Sequence, residues 1–215
     1  LYPDVMLVRL RLPLHANMRF GAGQYVDILL EDGVRRAYSI ASQPQPQGVI
    51  DLELHIGHMP GGMFTDRVFT SMMNREKLQF EGPLGSFFLR DSDKHAIFLA
   101  TGTGYAPIRS IVMDALAWGD QRPMTLYWGA RTLADIYLLD EARVLAAEHP
   151  NFTFVPVLSR EKGEDWDGRT GHVQDRALED FPDLSDCQVY ACGSPAMVND
   201  AERMFVEHGL AKDQF

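Results

Sequence analysis

The rhythm of apolar and polar residues changes once along this chain. Up to about residue 92 it is short and alternating. Val5, Leu7 and Arg9 alternate with Met6, Val8 and Leu10, and further strand-length runs lie at Gln24–Leu30, Arg36–Ala41, Val49–Ile56 and Lys77–Glu81. Turn-forming clusters separate them: Gly21-Ala22-Gly23, Glu31-Asp32-Gly33, the Pro/Gln loop 43–48 and Pro60-Gly61-Gly62. Such spacing predicts an antiparallel barrel or sandwich. One helix interrupts it, Met63–Met73, with Phe64, Val68 and Met72 on one side.

From residue 93 strands alternate with helices. Strands are predicted at 95–100, 124–129, 152–158 and 187–192, and helices at 107–118, 133–148, 171–181 and 195–208. That order means right-handed βαβ units and a parallel sheet covered on both faces. The change falls in the charged run Arg90-Asp91-Ser92-Asp93-Lys94. The expected organisation is therefore a β domain over 1–92 followed by an α/β domain over 93–215.

Parallel sheets bind ligands at the carboxyl ends of their strands, near the topological switch point. Four predicted strand ends carry distinctive residues: Thr101-Gly102-Thr103-Gly104, Gly129-Ala130-Arg131, Ser159-Arg160 and Cys192-Gly193-Ser194-Pro195. Glycines at a strand-to-helix turn let backbone N–H groups approach a phosphate, and the positive end of the next helix favours the anion. One such turn is weak evidence. Four converging on one sheet edge point to a nucleotide.

Bulk properties narrow the picture further. The chain has 215 residues, 46% hydrophobic and 23% charged, which is ample for a packed core. A formal net charge of −10 argues against a nucleic-acid partner, since phosphate backbones need a basic surface. No apolar run approaches the roughly 18 residues that span a bilayer, and no signal-like segment is present, so a cytoplasmic location is expected. Cys187 and Cys192, the only cysteines, exclude a disulfide scaffold and a four-cysteine metal or cluster site within these residues. No metal site is expected. The chain begins without Met, already in alternating sequence, and stops at Phe215 just after a helix, where another strand is expected. Both ends read as cut.

Taken in order, five motifs make the chain resemble the ferredoxin–NADP reductase superfamily along essentially its whole length. Arg36-Ala37-Tyr38-Ser39 matches the RxYS flavin motif, and Gly61-Gly62-Met63-Phe64-Thr65 looks like the flavin pyrophosphate loop. Gly82-Pro83-Leu84-Gly85-Ser86-Phe87 matches the segment closing the β domain. Gly102-Thr103-Gly104-Tyr105-Ala106-Pro107 and Cys192-Gly193-Ser194-Pro195 are similar to the two nicotinamide-side motifs. Tyr127-Trp128-Gly129-Ala130-Arg131 and Trp166-Asp167-Gly168-Arg169-Thr170-Gly171 look most like a bacterial subgroup. It holds flavin reductases, CDP-4-dehydro-6-deoxyglucose reductases and oxygenase reductase components, many with a two-iron ferredoxin domain fused upstream.

The resemblance implies a six-stranded antiparallel flavin-binding barrel, its first strand partly missing, and a nicotinamide-nucleotide domain whose last strand lies beyond Phe215. It implies FAD, or less readily FMN, as cofactor and NADH or NADPH as donor. An iron–sulfur cluster would belong to a missing upstream domain or to a ferredoxin partner. By resemblance Arg36 pairs with a flavin phosphate, a task its planar charged fork suits. Tyr38 packs on the flavin ring, Ser39 lies near flavin N5, and His55 and Ile56 line the phosphate or adenine side. There many relatives carry Lys or Arg where this chain reads His55-Ile56-Gly57-His58. Gly62, Met63 and Thr65 receive the pyrophosphate at a helix start.

On the nicotinamide side, Thr101, Gly102, Thr103 and Gly104 approach the nucleotide through backbone, with Pro107 in the first turn of the helix. Gly193 and Pro195 belong to the second motif there, and Arg131 lies on the same strand-end edge. Cys192 is expected nearest nicotinamide C4. It is not expected to act as a nucleophile, because no histidine is arranged beside it and hydride transfer needs none. Ser159-Arg160 could hold the 2′-phosphate of NADPH, while Glu161 just after it suits an NADH ribose, so both donors stay open.

The expected chemistry passes hydride from nicotinamide to flavin, in a cleft between the domains, at a ring separation of roughly 3–3.5 Å, with electrons then leaving singly. A free-flavin reductase is the alternative. A nucleotide-binding or redox-sensing module without turnover is the third.

Overall fold

A computed structural model of the chain describes residues 4–13, 15–31, 33–160 and 166–215. Leu1, Asp32 and Glu161, which entered the readings above, lie outside the described residues. The chain divides into two compact units. The first runs to Arg90 and includes Ala106–Trp118; the second holds Asp91–Tyr105 and Gly119–Phe215.

The first unit is antiparallel. β1 (Val5–Arg11) pairs with β4 (Asp51–Gly57), and β2 (Tyr25–Leu29) lies between β3 (Arg35–Ser39) and β5 (Gln79–Leu84). Isolated bridges at Met18↔Val49 and Ile40↔Leu54 supplement these pairs, the second tying the end of β3 to β4. Five strands and two bridges thus stand, among the described residues, where six strands are expected. Alternation explains the core. Val26 and Ile28 of β2 and Leu52, Leu54 and Ile56 of β4 are fully buried, joined by Ile40 and by Phe64 and Val68 of α1 (Met63–Thr70). Each such side chain contributes roughly 1.5–3 kcal/mol on leaving water.

The second unit is a parallel sheet in the order β10-β6-β7-β8-β9. Its strands are β6 (His95–Thr101), β7 (Met124–Ala130), β8 (Phe152–Leu158), β9 (Arg169–Thr170) and β10 (Cys187–Cys192). The switch point lies between β6 and β10, where the winding reverses. Near-continuous apolar runs such as Ala96–Ala100 are buried throughout, as a sheet covered on both faces demands. The helices are α2 (Tyr105–Ala117), α3 (Leu139–Glu148), α4 (Val173–Asp180) and α5 (Pro195–Glu207), of which α2 beyond Tyr105 belongs to the first unit.

Some elements depart from the expected pattern, among them the short strand β9. The helix expected over 133–148 is a 3-10 turn, Leu133–Asp135, followed by α3. Thr132 and Asp135 form a reciprocal capping box that closes the turn early, and the fully buried Tyr137 occupies the gap. The chain's last described element is a 3-10 turn, Lys212–Gln214. No helix of the described residues is long and apolar enough to cross a membrane.

Candidate functional site

In the first unit, strand alternation sorts the two neighbouring arginines. Arg35 faces outward and pairs with Glu81 at 2.6 Å and Asp27 at 3.7 Å. Arg36 lies on the opposite face, in register with Ile28, and donates to the Arg35 carbonyl at 2.9 Å. Tyr38 shares the Arg36 face, opposite Val26. Burial pushes the Tyr38 phenol above its ordinary range, with the Arg36 charge opposing. Its ring meets Phe64 at 5.5 Å, tilted by 50°. That contact joins Arg36-Ala37-Tyr38-Ser39 to the start of α1, so two motifs some 25 positions apart in sequence share one place.

The turn into α1 is built for backbone donation. Gly62 caps the helix without a side-chain acceptor, so the first-turn N–H groups have no intrahelical partner. A Cβ at Gly62 would stand 2.6 Å from Thr65 Oγ1 and 2.9 Å from the Met59 carbonyl oxygen, and only glycine fits that bend. Thr65 is occupied with the same bend: its hydroxyl donates to the Met59 carbonyl at 2.8 Å. A phosphate here would therefore meet the backbone of Thr65 rather than a free hydroxyl.

Asp66 was missed by sequence reasoning. Its carboxylate accepts from the Gly61 N–H at 3.0 Å and lies 2.9 Å from His58 Nε2. An acid in the first turn of a helix is the visible signal for such a contact. The His55 ring is fully enclosed, with Nε2 3.2 Å from Glu53 Oε1, and Ile56 is a core residue. These side chains face the interior, which leaves only their backbone for a ligand. The open backbone cradle and the Tyr38 ring beside it fit a flavin with a phosphate tail, with the Asp66 carboxylate opposing that charge.

In the second unit the carboxyl edge of the sheet collects the other motifs. Gly104 packs against the Cys192–Gly193 peptide so closely that a Cβ would stand 2.8 Å from the Gly193 nitrogen. Thr101 Oγ1 accepts from the Ser194 N–H at 2.9 Å. Thus the ends of the adjacent strands β6 and β10 are locked together. Gly102 is exposed, with φ +54° and no atom within 4 Å of where a Cβ would stand, so that side of its backbone is open. Ser194 caps α5 by accepting from the Met197 N–H at 3.3 Å, and Pro195 opens that helix. Burial pushes the Cys192 thiol up, which keeps it protonated and unreactive at neutral pH.

Beneath the turn lies an aromatic support that the sequence reading did not find. Trp128 stacks on Tyr105 at 3.9 Å and meets Tyr137 edge-on at 5.1 Å, and all three are buried. The Trp128 indole N–H donates to the Gly102 carbonyl at 3.2 Å, fixing the turn from below. At the next strand ends the Arg160 N–H donates to the Arg131 carbonyl and the Ser159 N–H to that of Ala130, both at 2.9 Å. Ser159, Arg160 and Arg131 are exposed at that edge. Two adjoining guanidinium-bearing residues there suit an anionic nucleotide.

Known proteins show the same pairing. Residues 1–89 match the oxidoreductase FAD-binding domain family, and residues 98–203 the oxidoreductase NAD-binding domain family. The chain is 42% identical over 214 residues to a CDP-6-deoxy-L-threo-D-glycero-4-hexulose-3-dehydrase reductase of Yersinia pestis. It is 36% identical to terephthalate 1,2-dioxygenase reductase component 1 of Comamonas sp.. Each match covers 99% of this chain and 63% of the relative, so the chain spans under two thirds of their length. Among solved structures, a cytochrome P450 reductase of Amycolatopsis superposes with a TM-score of 0.89 at 35% identity, over 98% of this chain and 63% of that one. The chain belongs to the ferredoxin reductase family, with an oxidoreductase FAD-binding domain followed by an oxidoreductase NAD-binding domain.

Proposed function

We propose that the chain is the reductase part of an electron-transfer enzyme, taking hydride from NAD(P)H onto FAD and passing electrons to a two-iron ferredoxin domain or protein. The observation that carries it is the pair of assemblies in one chain. Tyr38 and Phe64 bring an aromatic strand and a phosphate-ready helix start together, and Thr101 and Gly104 lock onto the Cys192–Ser194 turn. Relatives named as a dehydrase reductase and a dioxygenase reductase component support a protein acceptor. The domains are read as 1–92 for flavin and 93–215 for nucleotide, and the location as cytoplasmic.

Bound FAD would accept an electron pair and release electrons singly. This chain's residues then bind and orient. Arg36 supplies charge to a flavin phosphate, Tyr38 an apolar ring face, and Ser39 a hydroxyl beside it. Gly62, Met63 and Thr65 contribute first-turn amides, and His55 and Ile56 only main chain. Thr101, Gly102, Thr103, Gly104, Gly193 and Pro195 shape the nucleotide's seat, with Cys192 as a small, protonated wall. Arg131, Ser159 and Arg160 hold its anionic end, for NADH or NADPH. Purified protein reconstituted with FAD should lose the flavin's visible absorbance on anaerobic addition of one of the two nucleotides.

A second reading has a specific observation behind it. Asp66 holds the Gly61 amide and the pyrophosphate turn carries no Lys or Arg at 57, 58 or 63, which favours loosely held flavin used as a substrate. Flavin content after extensive dialysis separates the two: one-to-one retention supports the first, loss with undiminished turnover on added flavin the second.

A further inference from the structure

Arg109 and Ser110 lie on α2, outside every flavin motif, yet both reach the chain just after Ser39. Arg109 Nη1 donates to the Ala41 carbonyl at 2.7 Å, and Ser110 Oγ donates to the Ser42 carbonyl at 2.8 Å. Both side chains are shielded: the Arg109 side chain is 11% exposed, and Ser110 is fully buried. From the other direction β4 grips the same two residues. The Ala41 N–H donates to the Glu53 carbonyl at 2.8 Å, and the Glu53 N–H donates to Ser42 Oγ at 3.2 Å. The Glu53 carboxylate closes the circuit, with Oε1 3.6 Å from Arg109 Nη1 and 3.2 Å from His55 Nε2.

We propose that Arg109, with Ser110 beside it, is a positioning residue for the flavin, holding Ala41 and Ser42 so that Tyr38 and Ser39 keep their places at the end of β3. This deepens the flavin function proposed above and rests on it. A guanidinium suits the task because its planar fork serves a carbonyl and a carboxylate at once and never loses its charge. Ala41 is fully buried, so its carbonyl depends on Arg109, and an unmet buried acceptor drives the chain to shift. The shift would pass through Ile40, whose N–H donates to the Gln24 carbonyl at 2.9 Å and which bridges to Leu54. Glu53 is held below the usual carboxylate range, first by the bond from His55 and then by the Arg109 charge. The network is thus ionic at neutral pH.

Three variants test this: Arg109→Gln, Ser110→Ala, and the double variant Arg109→Gln with Glu53→Gln. The readouts are the FAD dissociation constant, the visible circular dichroism of bound flavin and the urea unfolding midpoint. Arg109→Gln should raise the dissociation constant about tenfold or more and alter the flavin dichroism, as loss of a charge-assisted bond at a positioning site implies. The double variant should recover part of the unfolding midpoint, because Glu53 no longer carries a half-buried charge that has lost Arg109, while flavin binding stays weak. Wild-type affinity and dichroism in Arg109→Gln would overturn the proposal, as would a double variant that recovers both. Should Arg109→Gln not fold, Ser110→Ala decides in the same way: weakened flavin supports positioning, and wild-type flavin contradicts it. Wild-type protein that takes up no FAD would instead sink the flavin function itself.

Discussion

Gly104 lies so close to Cys192 that a Cβ on it would stand 2.5 Å from the Cys192 carbonyl carbon. Real Cβ atoms do not tolerate such a distance against backbone, so strand ends β6 and β10 meet only because residue 104 has no side chain. Gly104→Ala should therefore push the two turns apart. The expected cost is about 1–3 kcal/mol of stability, as for other overpacked sites. Nucleotide affinity should fall while flavin affinity does not. Thermal unfolding together with separate nucleotide and FAD titrations checks this.

Tyr38 offers a second test. Its ring meets Phe64, and aromatic pairs contribute about 0.5–1.5 kcal/mol beyond the area they bury. Tyr38→Phe should leave FAD affinity within about threefold of wild type, since the ring face is what matters. Tyr38→Ala should weaken FAD by at least tenfold and lower the unfolding midpoint. Equilibrium titration of apoprotein with FAD reads the difference.

At Asp66 a carboxylate sits where an anionic diphosphate would approach the Gly61 amide. Asp66→Asn keeps an acceptor for that N–H and removes the like charge. FAD should bind more tightly to this variant, with stability lower by about 0.3–1 kcal/mol from the lost helix-dipole contact. Unchanged FAD affinity would place the diphosphate away from α1.

How far these sites were legible in the sequence depends on the kind of interaction. Strands such as Cys187–Cys192 and the turn at Thr101–Gly104 follow from periodicity and glycine placement, both local properties. The break before α3 did not, because the capping box at Thr132 and Asp135 overrides an apolar pattern that runs on through Tyr137. The two-residue strand Arg169–Thr170 is too short to leave a period. Arg36 and Tyr38 were found by motif, whereas the Thr101 hydroxyl on Ser194 and the Trp128 indole on Gly102 are contacts across about 93 and 26 positions. Nothing in a single sequence marks those partners. The enclosed ring of His55 was invisible for another reason: its partner Glu53 is near in sequence, but its burial comes from the fold.

The protein's acid sensitivity should have an identifiable onset. Burial holds the His95 imidazole below its ordinary value of about 6.5, with Nε2 2.9 Å from Thr125 Oγ1 and the ring edge-on to Phe181. The folded state thus prefers the neutral ring, and the unfolded chain takes up a proton first. Stability is unaffected well above pH 6.5 and falls as pH drops through that value toward the lower folded one. His95→Gln should flatten the pH dependence of the urea midpoint between about pH 7 and 5. An unchanged slope in that variant would assign the acid loss elsewhere.

The most direct test of the central claim is an anaerobic titration of FAD-reconstituted protein with NADH and, separately, NADPH. At least one nucleotide should remove the flavin's visible absorbance at one equivalent per bound flavin. Wild-type protein that binds no flavin, or that keeps its flavin oxidised in the presence of both nucleotides, would contradict it.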